Sequence, residues 1–206
     1  MNSATAITKL QFHYFASMQR FIFGLLMVVV FASCGSEENA IPRPRGYFRI
    51  DFPEKKYQAY TSDCPYTFEY PVYGNLELNP RRNQPCWPNI VFPKFKGTIY
   101  ISYLPVENNL PKLLEDSRTI TYKHTVRAND ISEILVNRPE ANVYGTIYEV
   151  TGNAASAIQF HLTDSSKHFL RGSLYFNASP NADSLNPVVN FFRKDIDHLI
   201  GSLSWK

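Results

Sequence analysis

The chain has 206 residues, 44% of them hydrophobic and 15% aromatic, with 21 basic against 18 acidic side chains. That length suits one domain with a real hydrophobic core. The small charge excess, with no Lys/Arg cluster able to neutralise phosphates, gives no argument for a nucleic-acid partner.

The first element is FIFGLLMVVVFASC, Phe21 to Cys34. It is shorter than the roughly 18 apolar residues that mark a transmembrane helix. It has the layout of a secretory signal, with Arg20 as basic flank and Ala32-Ser33 as the small pair before the cut. With Cys34 immediately after, it resembles a bacterial lipobox, although Phe31 stands where leucine is usual. That resemblance implies lipid on Cys34, and two or more acyl chains give stable membrane anchoring. An ordinary cleaved signal or a short N-terminal anchor is the alternative. Residues 1–33 are therefore expected to be a signal peptide, with Met18 a better start than Met1. The leader contains Lys9 and Arg20 and no acid, so the remainder is close to neutral.

Residues 34–45 read as the lipidated cysteine and a polar tether stiffened by Pro42 and Pro44. Ser36-Glu37-Glu38 resembles an acidic surface-export signal of Bacteroidetes lipoproteins; a solvated linker is the equal alternative. Residues 46–206 are expected to form a single globular domain. Gly46 to Pro53 (GYFRIDFP) is the first strand expected. Cys64 to Pro71 (CPYTFEYP) is the second, with Tyr66, Phe68 and Tyr70 on one face.

Val72 to Phe95 carries four prolines and reads as a long loop, a type uncommon unless functional or disordered. With Cys34 lipidated, Cys64 and Cys86 remain, and two cysteines in an exported chain most simply pair. Free thiols are the alternative. The loop so pinned carries Arg81, Arg82 and Trp87, residue types enriched in interface hot spots. These are the candidate partner-binding residues; the competing reading has Trp87 packing on the disulfide at the core edge.

Gly97 to Pro105 (GTIYISYLP) alternates as a strand. Asn108 or Asn109 caps a helix with Pro111 in its first turn, ending near His124. Leu110, Leu113, Leu114, Ser117 and Thr121 make its inner face. Ile131 to Val136 is a short strand or one more helical turn. Asn142 to Thr151, Ala157 to Thr163 and Lys167 to Asn177 read as a meander of hairpins. Ser184 to Trp205 is an amphipathic helix capped by Asp183 or Ser184. Asp183-Ser184-Leu185 also resembles a Bacteroidetes O-glycosylation acceptor, although capping is the preferred reading.

The elements predict an α+β fold: an antiparallel sheet with a middle helix and a C-terminal amphipathic helix packed on it. Their order is loosely similar to PsbP/Mog1-type domains. No catalytic motif is present: neither a G-x-S-x-G elbow, nor a P-loop, nor G-x-G-x-x-G. His161 and His168 could meet across a hairpin and bind metal with Asp164, but they read as exposed strand positions. His198 and His124 read as solvated helix positions. No cofactor, metal site or catalytic residue is expected.

Four stretches carry a wider resemblance: PRPRGYFRIDFPEKKY (Pro42 to Tyr57), CWPNIVFPKFKGTIYISY (Cys86 to Tyr103), NNLPKLLEDSRTITYKHT (Asn108 to Thr125) and NPVVNFFRKDIDHLIGSLSW (Asn186 to Trp205). In these the chain resembles the GldD family of gliding-motility lipoproteins of the Bacteroidetes. The resemblance implies a non-enzymatic, lipid-anchored envelope protein, expected at the outer membrane, working with gliding-motility and type IX secretion proteins. Cys34 is the one functional position it carries over. The rival reading is an envelope lipoprotein that binds a small ligand or a glycan. A docking protein would expose an apolar patch; a ligand binder would show a cleft with convergent polar groups.

Overall fold

The computed structural model describes residues 49–78 and 84–206. The strands are β1 (Tyr57–Ala59), β2 (Tyr66–Thr67), β3 (Glu69–Pro71), β4 (Asn75–Leu78), β5 (Pro88–Phe92), β6 (Gly97–Pro105), β7 (Ala128–Arg138), β8 (Val143–Gly152), β9 (Ser156–Thr163), β10 (His168–Phe176) and β11 (Ser204–Trp205). The helices are α1 (Leu110–Tyr122) and α2 (Ala182–Ser202). Strands β4-β5-β6-β10-β9-β8-β7 form one seven-stranded antiparallel sheet, and β1-β3 and β11-β2 form two small ribbons. This is the α+β architecture expected. Among the described residues no helix is long and apolar enough to cross a membrane.

Side chains alternate across a strand, so the register sorts the sheet into two faces. On one, Ile99 pairs with Leu174, Leu174 with Ile158, and Ile101 and Phe160 flank Gly172. All these aliphatic and aromatic side chains are buried. A Cβ on Gly172 would lie 2.1 Å from the Phe160 ring, so only glycine lets that ring cover the strand. The apolar stripe of α2, with Val188, Phe192, Ile196, Leu199 and Ile200, closes this face. Tyr66, Phe68 and Tyr70 alternate inward from β2 and β3 and join the same core. Truncating a buried phenylalanine of this kind typically costs about 3–5 kcal/mol.

The other face is polar. One row reads Ser102, Arg171, His161, Thr146; the next reads Tyr100, Ser173, Gln159, Tyr148, Glu133. Helix α1 lies on β9 and β10 here. It approaches through the two small residues it buries, Ser117 and Thr121.

Several expectations are corrected. Arg49 to Lys56, the described part of the expected first strand and its following loop, is irregular, and pairing starts only at Tyr57. The aromatic of that stretch packs ring on ring instead: Phe52 stacks on Phe191, 4.4 Å between centroids. The long loop from Val72 to Phe95 contains β4 and β5. Pro88 opens β5, a position that tolerates a missing N–H, and Ile90 and Phe92 alternate inward beyond it. Helix α2 is capped by Asn181, whose side chain accepts from the Ser184 N–H at 3.2 Å. Pro187 lies inside the helix.

Candidate functional site

The disulfide joins Cys64 and Cys86, with Cα atoms 5.4 Å apart. It ties the chain before β2 to the chain before β5. Next to Cys86, Trp87 donates its indole N–H to the Tyr103 carbonyl at 2.6 Å. Trp87 is half-buried on the polar side of the sheet. It becomes one wall of a cleft of about 240 Å³ beside α1, lined also by Asn89, Tyr100, Ser102, Arg171, Ser173 and Tyr175. Tyr100 and Tyr175 meet edge-to-face, 5.8 Å between centroids.

Among the described residues, Arg171 is the only charged one lining this cleft. Its Nη2 donates to Gln159 Oε1 in a short bond. Its Nε is buried without a hydrogen-bond partner, as are Gln159 Nε2 and His161 Nδ1 beside it. Buried polar atoms are nearly always paired, so three such atoms together need an explanation. Burial lowers the pKa of Arg171, with Tyr175 opposing. Burial also lowers that of His124, and the Arg171 charge adds to the effect.

The two strand histidines do not form a pair. His161 is buried on the α1 side, stacked on Phe169. His168 faces the other side, where it meets the Tyr103 hydroxyl at 2.8 Å and stacks on Trp205. The exposed position expected of His161 is thus overturned, because α1 covers it. Among the described residues no group of three His, Cys, Asp or Glu side chains could hold a metal ion. Asp164 accepts backbone N–H groups from Ser166, Lys167 and His168 in the β9–β10 turn. Burial raises its pKa, but these bonds outweigh that and bring it down to about 2.

A second polar cluster lies across α2. Asp195 is buried, and Lys55 Nζ and the Tyr73 hydroxyl each reach its Oδ2 at 2.6 Å. The Tyr57 hydroxyl donates to its Oδ1 at 3.0 Å. Lys55 also donates to the Phe191 carbonyl at 2.9 Å and sits over the Phe191 ring. Burial lowers the Lys55 pKa against the pull of Asp195. Burial raises that of Tyr57 to about 12, with Asp195 adding. One turn on, His198 lies 2.6 Å from Glu69 and stacks on Tyr57. The solvated helix position expected of His198 is therefore a paired one.

Of the residues singled out in the sequence, Trp87 lines the cleft, whereas Cys34, Arg81 and Arg82 lie outside the described residues. Arg171 and Asp195 were missed. Asp195 carries a legible signal, a carboxylate at helical spacing between Phe191, Phe192 and Leu199 on an apolar stripe. Arg171 carries less, since one arginine in an alternating strand reads as solvent-facing.

The cyanobacterial PsbP protein CyanoP from Synechocystis sp. PCC 6803 has a solved solution structure similar to this one. The TM-score is 0.49, with 11% identity over 77% of this chain and 98% of that one. No curated protein matches the chain. The family model for the gliding motility lipoprotein GldD matches residues 37–205. That span takes in nearly all of the folded domain, and the chain belongs to the GldD family of gliding motility lipoproteins.

Proposed function

We propose that this protein is an outer-membrane lipoprotein, anchored through Cys34, that serves as a non-enzymatic component of the gliding motility and type IX secretion machinery. The observation that carries the reading is the family match, which begins at residue 37, just after the lipobox-like cysteine. In this reading residues 1–33 are removed, residues 34–45 are a lipidated tether and residues 46–206 are the working domain. The disulfide suits an oxidising envelope compartment. It also leaves neither Cys64 nor Cys86 as a nucleophile. Partners are other envelope proteins of the motility and secretion apparatus, with Trp87 as a contact and Arg81 and Arg82, which lie outside the described residues, as further candidates.

The test is intact mass and membrane partition of wild type beside Cys34→Ala, with crosslinking and pull-down from cells. Wild type is expected to carry lipid mass on Cys34, to stay with the outer membrane and to bring down motility proteins. Cys34→Ala is expected to leave the membrane fraction. An unlipidated, soluble wild type overturns the anchoring. A lipidated protein that brings down no envelope partner overturns the docking role. A second reading, a small-ligand or glycan binder, is favoured by one observation, the cleft around Arg171.

A further inference from the structure

Three hollows compete for attention. The one at the start of α2 has a volume of about 420 Å³ and includes Arg193, Asn181 and Glu149. Its charged pair and its cap are spent within the fold: Arg193 pairs with Glu149 and Asp197, and Asn181 caps the helix. The hollow beyond α1, over β8 and β9, is bordered by Glu115, Arg118 and His161. It is a shallow depression and presents charges of both signs.

The Arg171 cleft differs in kind. Among the described residues its lining holds one cation and no anion. Among the described residues no carboxylate pairs with Arg171 or shifts its pKa. A partly buried guanidinium without a counter-ion is costly, and the missing partner is one unit of negative charge. A carboxylate supplies that charge and can accept from Nη1, since Nη2 is engaged by Gln159 and Nε is buried, whereas a doubly charged phosphate would exceed it. Around the cation stand three flat aromatic walls, Trp87, Tyr100 and Tyr175, and the hydrogen-bonding side chains of Asn89, Ser102 and Ser173. Aromatic faces with a polar rim fit a ring that is apolar on its faces and hydroxylated at its edge. At about 240 Å³ the cleft is smaller than the roughly 300 Å³ at which drug-sized sites begin. It has room for a one-ring ligand.

We propose that this cleft binds a uronic-acid sugar, its carboxylate on Arg171 and its ring between Trp87, Tyr100 and Tyr175. The same chemistry is offered by a free sugar acid and by the end residue of an acidic polysaccharide. The inference does not depend on the anchoring of the protein.

The test is calorimetric titration of the full chain in detergent with galacturonate, with short oligogalacturonides, with neutral galactose and with N-acetyl-glutamate amide. Saturable binding of galacturonate, absent for galactose, is expected. Tighter binding of the oligomer than of the monomer identifies the polysaccharide end as the source; equal binding identifies the free acid. Arg171→Met is expected to weaken binding by about tenfold to a hundredfold, the loss of a charge-assisted hydrogen bond. Tyr100 is 46% exposed, so cutting it to alanine gives up the edge-to-face contact with Tyr175 but no buried core. Tyr100→Ala is expected to weaken binding by about tenfold in a protein that still folds, which keeps the test open if Arg171→Met does not fold. No saturable heat with either acid form overturns the proposal. So does galactose binding as well as galacturonate, or the glutamate derivative binding better than the sugar acids.

Discussion

His161 shows how a single buried group sets the response of the fold to acid. Its ring is stacked on Phe169, 12° from parallel, and its Nδ1 has no partner. Burial lowers its pKa from 6.5 to about 4, Glu133 opposing and the Arg171 charge reinforcing. In the unfolded chain the imidazole titrates near its ordinary value, so between the two values the unfolded state binds more protons. The contribution of His161 to stability is complete above about pH 6.5 and falls as pH drops toward about 4. Between about pH 7.5 and about pH 5 the loss from this residue comes to about 2 kcal/mol. In urea unfolding at the two pH values, His161→Gln is therefore expected to lose about 2 kcal/mol less than wild type. Parallel losses in both proteins would mean that His161 titrates in the fold as it does in solution.

At the scale of elements, the disulfide and the strand it precedes act together. Cys64 and Cys86 are 22 residues apart, and closing a loop of that length stabilises by about 3 kcal/mol in the chain-entropy model. The Cys64→Ser, Cys86→Ser double variant is expected to lose about that much in denaturant unfolding, with the same far-ultraviolet spectrum. Because Cys86 adjoins Trp87, it is also expected to bind galacturonate more weakly than wild type. An unchanged midpoint would show that β4–β5 pairing alone holds the loop. The same region explains where sequence reading stops. Strands β6, β9 and β10 and both helices are legible because their alternation or 3.6-residue spacing runs unbroken for eight residues or more. Strands β4 and β5 are only four and five residues long and β5 opens on a proline, so the alternation in each is too brief to announce a strand. Arg49 to Pro53 alternates like a strand, but its one aromatic, Phe52, is used in ring packing against Phe191 and Phe95. The cleft was legible only through Trp87. Arg171 acquires its setting from strands far apart in the sequence.

Over the whole molecule, the cluster on Asp195 decides how the start of the domain is held. Lys55 and Asp195 are 140 positions apart, and their contact fastens the segment leading into β1 to the C-terminal helix. If lipid on Cys34 holds the chain, any pull from the membrane reaches the domain along this segment first. The two partners are not equivalent. The Asp195 side chain is wholly buried, whereas that of Lys55 is 26% exposed. Lys55→Met leaves a buried carboxylate with only the Tyr57 and Tyr73 hydroxyls, and is expected to cost about 3 kcal/mol. Asp195→Asn removes the buried charge, keeps an acceptor oxygen for one of the two tyrosine hydroxyls and turns an amide N–H toward the oxygen of the other, and it lets Lys55 turn its ammonium to water, so its cost is expected to be smaller. Combined, the two substitutions are expected to cost less than their sum, the signature of direct coupling. Hydrogen exchange then separates local from global loss. In Lys55→Met the amides of β1 and β3 are expected to exchange faster than those of β9 and β10 relative to wild type, because the ribbon opens as its own unit. Equal acceleration across the ribbon and the large sheet would show instead that the clamp stabilises the fold as a whole, and that a membrane-borne load would have no separate element to release first.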